Sequence, residues 1–186
     1  MADTVRAFVA VDVDARLRQQ VARVQNALGP AVSGAKWVEP RLCHLTLKFL
    51  GYVPEPQLGD IAAACRRAAG GNRPFELRFR GIGGFPRLRG ARVLWMGLEH
   101  GEAPLRELQA ALERELVPLG FPPEDRPFSP HLTLARFKAS ARLEDLAQPF
   151  ERQRFGTVPI AGVQLMRSVL SPKGPEYTVL ESFALG

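Results

Sequence analysis

His44-Leu45-Thr46-Leu47 and His131-Leu132-Thr133-Leu134 are the same tetrapeptide, written twice in one chain, 87 residues apart. The chain holds three histidines in all, so two of them stand in identical local settings. Polar and apolar residues alternate through each copy, which reads as a strand with one buried face. Residues i and i+2 of a strand project to the same side. His44 and Thr46 therefore point together over Leu45 and Leu47, and His131 and Thr133 do the same over Leu132 and Leu134. If the two strands meet, two imidazoles and two hydroxyls line one cleft.

The elements around the motifs are readable in outline. Residues 5–11 form a largely buried strand, and Asp12 to Asp14 start a helix with its apolar period at Leu17, Val21, Val24 and Leu28. Gly29-Pro30 closes that helix. Residues 35–38 are a short extended piece, and residues 43–50 a strand ended by Gly51 and Pro54. A helix over 58–69 stops at Gly70-Gly71. Two strands, 75–82 and 92–98, flank a loop over 83–90. The theme then returns. A helix over 103–119 has Leu105, Leu108, Leu112 and Leu116 on one face, and a proline-rich segment leads to a strand over 129–137. A short helix over 142–148 and strands over 155–170 and 176–183 complete the chain. The pattern is that of a duplicated α+β unit with two lobes facing one another.

Composition sets the boundaries. Apolar residues make up 46% of the 186 and charged residues 24%, as in an ordinary globular protein with a real core. The net charge of +6 favours polyanionic partners or simply keeps the protein in solution. Two cysteines, Cys43 and Cys65, make no C-x-x-C pair, so free thiols in a reducing compartment are expected. The N-terminus lacks the pattern of a signal peptide, and no apolar run reaches transmembrane length. A soluble cytoplasmic protein, not bound to membranes, is expected.

Two imidazoles with no nucleophilic Ser or Cys beside them suit in-line displacement at phosphorus. One, neutral, takes the proton of the attacking water; the other, protonated, gives a proton to the leaving oxygen. The threonine hydroxyls, Thr46 and Thr133, would hold the phosphoryl oxygens. A cyclic phosphodiester fits, needing no metal or cofactor when acid and base are both supplied. No metal-ligand spacing such as H-E-x-x-H is present. Symmetry alone leaves donor and acceptor interchangeable.

The chain resembles the two-histidine (2H) phosphoesterases, defined by paired His-x-Thr-x motifs, and within them the LigT-like RNA 2',3'-cyclic phosphodiesterases, also called 2'-5' RNA ligases. The paired motifs carry the resemblance, supported by Arg6-Ala7-Phe8-Val9-Ala10-Val11, Lys48-Phe49-Leu50-Gly51, Arg92-Val93-Leu94-Trp95, Pro130, Ala135-Arg136 and Gly174-Pro175-Glu176-Tyr177. It implies an α+β fold in which residues 1–186 form a single bilobal domain, two antiparallel sheets facing a central cleft with helices on the outer faces. It implies hydrolysis of a terminal RNA 2',3'-cyclic phosphate to a 2'-phosphate, with His44 as proton donor and His131 as proton acceptor. RNA ends, tRNA-like or other, are the implied substrates of a monomer, and the reverse reaction would join a 5'-hydroxyl RNA through a 2'-5' bond without ATP. Arg136 is the implied phosphate contact. Strict alternation puts it on the face opposite His131, so a bend or bulge after Thr133 would have to re-aim it.

Weaker signals remain. Lys48 shares parity with His44 and would add positive potential there, or be a solvated strand end. The loop over 83–90, with Phe85, Arg87 and Arg89 and then Arg92, is either a basic, aromatic-tipped loop at the cleft mouth or a plain hairpin loop; it lacks the Gly-Lys-Ser/Thr of a P-loop. His100 reads as a surface histidine. Cys43 turns to the core by alternation, which argues against a Cys–His nucleophile. Trp37 and Trp95 read as core. Two other functions stay open: a cyclic phosphodiesterase acting on small nucleotides, and a non-catalytic RNA-binding module.

Overall fold

Residues 5–11 contain one polar side chain, Arg6, and they become the spine of the molecule. In the computed structural model, which describes residues 3–172 and 174–186, β1 (Thr4–Asp12) sends Ala7, Val9 and Val11 into the core. Arg6, Phe8, Ala10 and Asp12 share its other face. Asp14 then caps α1 (Ala15–Leu28), its carboxylate accepting from the Leu17 N–H at 2.8 Å. That helix has no acid in its first turn and no base in its last, so packing must hold it. Burying Leu17, Val21, Val24 and Leu28 supplies roughly 6–12 kcal/mol before chain entropy is subtracted.

The remaining elements are β2 (Ala35–Trp37), β3 (His44–Pro54), α2 (Leu58–Gly70), β4 (Phe75–Phe85), β5 (Arg89–His100), α3 (Glu102–Leu116), β6 (Leu132–Arg142), α4 (Glu144–Ala147), β7 (Arg154–Ile160), β8 (Gly162–Ser171) and β9 (Gly174–Ala184). They make two antiparallel sheets, ordered β3-β1-β8-β9 and β2-β6-β5-β4-β7. Helices α2 and α3 pack on each other and cover the first sheet, and α1 lies against β7 of the second. The α+β architecture read from the sequence is the one observed.

The two sheets are not the two halves of the chain. Strands β8 and β9, from the last 25 residues, complete the sheet begun by β1 and β3. The single strand expected over 155–170 is therefore two strands, and the chain passes from one sheet to the other at Ala161. Gly51 does not end β3. Its φ of +72° lets the strand bulge and continue to Pro54. The loop expected over 83–90 shrinks to 86–88, because both flanking strands extend into it. One reason is packing: a Cβ on Gly83 would lie 2.3 Å from the Trp95 ring, so only glycine lets that indole cross β4.

Candidate active site

His44 is the first residue of β3, and His131 directly precedes β6. Both imidazoles are held the same way. The Nδ1–H of His44 donates to the Leu42 carbonyl and that of His131 to the Ser129 carbonyl, each at 2.8 Å. A carbonyl can only accept, so Nδ1 carries the proton and the neutral ring keeps its lone pair on Nε2. His44 Nε2 lies 3.1 Å from Thr46 Oγ1.

Each motif is followed by a bulge at the same place. Val9 pairs with Lys48 and Ala10 with Thr46, so Leu47 is an extra residue of β3. Trp95 pairs with Thr133 and Leu94 with Ala135, so Leu134 is an extra residue of β6. Two consecutive buried residues mark both slips, Leu47-Lys48 and Leu134-Ala135. A bulge inverts the alternation beyond it. The fifth residue after each histidine, Phe49 or Arg136, thereby joins the histidine's face. The displaced carbonyl of Leu134 accepts from Val38 N–H at 2.9 Å and from Gln25 Nε2 at 3.1 Å. Gln25 also bonds the Val38 carbonyl at 2.6 Å.

The same bulge corrects the expectation for Lys48. It is neither beside His44 nor solvated, but 3% exposed on the core side. Its ammonium donates to the Pro122 carbonyl and, at 3.2 Å, to Glu113 of α3. Glu113 also accepts from the Glu124 N–H at 3.1 Å. Lys48 thus anchors the segment that runs up to His131.

Aromatic rings set both imidazoles. His44 stacks on buried Phe8, with centroids 4.8 Å apart, and meets the edge of Tyr177 at 5.2 Å. His131 meets Phe85 edge-on at 4.9 Å, and Phe85 in turn leans on Trp95 at 5.2 Å. Phe85 is therefore a support beneath His131 and not a loop tip, and Trp95 stands on the cleft side of β5 opposite Thr133. Trp37 packs on the core as expected, and His100 is exposed. The sequence reading missed Phe8, Phe85, Tyr177 and Asp12 as neighbours of the histidines. The face Arg6-Phe8-Ala10-Asp12, polar at both ends in an otherwise apolar strand, was the available signal.

Burial pushes both imidazoles below their ordinary pKa, and the backbone hydrogen bonds partly oppose it. The Arg136 guanidinium lowers both further, so its charge reaches both rings, and it also acts on Tyr177. Asp12, the ladder partner of His44, pulls that ring upward, and Arg18, 2.5 Å from Asp12, offsets part of this. Among the described residues, no carboxylate acts on His131 in this way. The Cys43 thiol is buried, and burial raises its pKa to about 12, so it offers no thiolate. Its Sγ lies 3.7 Å from the Thr133 carbonyl, so the start of one motif strand touches the middle of the other.

A hollow of about 230 Å³ opens beside His44 between Arg18, Arg41, Gln164, Met166 and Tyr177. A larger one, about 440 Å³, runs along residues 159–164 and 182–184 with Asp12 at its rim, and contains no imidazole. Among the described residues, no three His, Cys, Asp or Glu side chains gather as a metal-ligand set, and no helix is long and apolar enough to cross a membrane.

Two facing sheets, each with one His-x-Thr-x motif and one bulge that turns the fifth residue inward, define a two-histidine phosphoesterase of the LigT-like type. The chain belongs to the 2'-5' RNA ligase superfamily, whose family model matches residues 13–171. It is 42% identical over 184 residues to the RNA 2',3'-cyclic phosphodiesterase of Methanothermobacter thermautotrophicus, covering 97% of this chain and 99% of that protein. It is 40% identical over 186 residues to the protein of the same name from Thermus thermophilus, covering 97% and 90%. Among solved structures, a Thermus thermophilus protein superposes with a TM-score of 0.82 at 39% identity, over 97% of each chain. E. coli LigT complexed with 3'-AMP gives 0.82 at 26% identity, over 98% of this chain and 99% of that one.

Proposed function

We propose that the protein hydrolyses RNA ending in a 2',3'-cyclic phosphate to a 2'-phosphomonoester, with His44 as general acid and His131 as general base. The observation that carries this reading is the matched pair of imidazoles, each locked through Nδ1 by the carbonyl two residues upstream, which leaves Nε2 for proton transfer, in His44 beside the Thr46 hydroxyl. His131 takes a proton from water as the water oxygen bonds to phosphorus. The bond from phosphorus to O3' breaks, and His44 delivers its proton to that oxygen. Thr46, Thr133 and Arg136 hold the phosphoryl oxygens as charge builds on them.

The asymmetry of the site supports the assignment of roles. Asp12 favours the charged form of His44, the form a proton donor needs. His131, without such a carboxylate, rests as the neutral base. Phe49, on the cleft face and 53% exposed, offers a stacking surface to the terminal base. With a 5'-hydroxyl RNA in place of water, the proton transfers run the same way: His131 takes the hydroxyl proton, the bond from phosphorus to O3' breaks as His44 protonates O3', and a 2'-5' bond forms. One chain supplies both histidines, which supports a monomer, and two buried free thiols suit the reducing cytoplasm.

The test is a short RNA ending in a 2',3'-cyclic phosphate, incubated with the protein and with His44→Ala and His131→Ala variants in the presence of EDTA. The expected product is the 2'-phosphate, and each variant should lose roughly 10²- to 10⁴-fold in rate. A 3'-phosphate product would reverse the orientation and with it the two roles. Turnover of cyclic mononucleotides alone would favour a small-nucleotide enzyme, and tight RNA binding without turnover a binding module.

A further inference from the structure

We infer that the hollow beside His44 receives the base of the nucleotide that precedes the cyclic end, so that a dinucleotide end lies across the first sheet. This rests on the RNA-end activity proposed above. Ladder partners on the cleft face make two rows, each crossing all four strands. Phe49, Phe8, Met166 and Val179 form an apolar row, and Thr46, Ala10, Gln164 and Ser182 form the row beside it. Paired residues project to one side, and so do residues two apart. From Phe49 to Val179 the apolar row spans three strand spacings, about 14 Å. His44 stacks on Phe8 and lies 3.1 Å from Thr46, which puts the reacting phosphate over the β3–β1 side of these rows. In a ribose the base leaves from C1' and the 5' carbon from C4', on either side of the edge that carries O2' and O3'. With the terminal base on Phe49 and the 2',3' edge at His44 and Thr46, the 5' carbon leaves away from Phe49, over Phe8 toward Met166 and Val179. The hollow of about 230 Å³ opens there, with His44 in its own wall.

The lining suits a base better than a phosphate. Met166 and Val179 give it an apolar floor, and Val179 is 45% exposed. The Gln164 side-chain amide stands at the edge of that floor and has no hydrogen-bond partner among the described residues. Arg18 lines the same hollow, and its Nε is buried without an acceptor, a condition that among the described residues only Trp95 Nε1 shares. Such a donor costs about 1–3 kcal/mol until something supplies the acceptor. A base brings a flat face for Met166 and Val179, and donors and acceptors on its edge for Gln164 and Arg18. A phosphate finds the two cations already engaged, Arg18 by Asp12 at 2.5 Å and Arg41 by Glu39 at 2.7 Å, and both carboxylates repel it.

The experiment measures kcat/KM for three substrates: a 2',3'-cyclic mononucleotide, a dinucleotide ending in the same group, and that dinucleotide with an abasic first ribose. Wild type should favour the intact dinucleotide over the mononucleotide by about tenfold or more, and the abasic one should fall back to within about threefold of the mononucleotide. Gln164→Ala and Val179→Ser should each lose about threefold or more on the intact dinucleotide, with no loss on the abasic one. Equal kcat/KM for mononucleotide and intact dinucleotide overturns the subsite. An abasic dinucleotide that keeps the full advantage overturns it too, because the phosphate is then the group bound. So does a loss in the two variants shared equally by intact and abasic substrates. If wild type hydrolyses none of the three, the proposed activity fails instead. The subsite is then judged by calorimetric titration with the dinucleotide ending in a 2'-phosphate, intact and abasic, where equal affinities overturn it.

Discussion

The side-chain amide of Gln25 donates to the carbonyl of Leu134, and Leu134 is the inserted residue that turns Arg136 into the cleft. A residue of α1 thus holds the shape of a strand 109 positions away. Gln25→Leu leaves that carbonyl to Val38 alone. Stability should fall by about 1–2 kcal/mol in urea titration, because a buried acceptor loses a donor. With Arg136 less well held, kcat/KM for a cyclic-phosphate RNA should drop roughly tenfold or more. Because the Arg136 charge lowers both imidazoles, both limbs of the pH profile should move slightly to higher pH; unmoved limbs would mean that Arg136 keeps its place without Gln25.

Both imidazoles titrate below their ordinary 6.5, with burial as the main cause. The base must be neutral and the acid protonated, so kcat/KM should be bell-shaped with its maximum on the acid side of 6.5. Asp12→Asn removes the group that pulls His44 upward and leaves Arg18 to push it down. The alkaline limb should therefore shift to still lower pH. An unmoved limb would assign it to another group.

The same displacements bear on stability. Between 6.5 and the lower values of the folded state, the unfolded chain binds more protons than the folded one. Stability should thus be full above about 6.5 and fall as pH drops through the folded values. Urea midpoints at pH 7.5 and pH 5 measure this. His44→Asn/His131→Asn should lose less between the two pH values than wild type does, the difference being the histidines' share.

Lys48 and Glu113 form a pair with the ammonium nearly sealed from water. Lys48→Ala leaves Glu113 with only the Glu124 N–H and the Pro122 carbonyl without the ammonium, and should cost about 3 kcal/mol. It also frees the segment whose Ser129 carbonyl sets the His131 tautomer, so kcat should fall as well. Glu124→Ala, whose carboxylate is 57% exposed and 3.9 Å from Lys48, should change stability by less than about 1 kcal/mol. An equal loss in both variants would mean that the exposed carboxylate, and not Glu113, is the essential partner.

The motif strands, most helices and the core faces were readable because each is a local pattern of apolar spacing. Strict alternation served His44, Thr46, His131 and Thr133, which all lie before the bulges. It failed at Lys48, one residue past Leu47, and for the same reason it set Arg136 on the wrong face unless a bulge intervened. A bulge depends on what lies across the ladder and on a donor for the displaced carbonyl. Gln25 and Val38 supply that donor from elsewhere in the chain, and no window around Leu134 contains them. The switch at Ala161 was hidden in the same way, because residues 155–170 have strand character throughout while their partners change sheet. Phe8, Phe85 and Tyr177 were not legible as supports of the histidines, Phe85 being read as part of a loop, since ring-to-ring contact with a histidine leaves no mark in sequence spacing.

Each imidazole takes its tautomer from a carbonyl only two residues before it. The instruction for where the proton sits is therefore contained in five consecutive residues, 42–46 in one copy and 129–133 in the other. Such a cassette is portable. It can be duplicated with its tautomer instruction intact, while the orientation of each ring still depends on distant aromatic partners, Phe8 and Tyr177 for one copy and Phe85 for the other. The surrounding protein then biases the two copies differently, and Asp12 beside His44 is one group that does so.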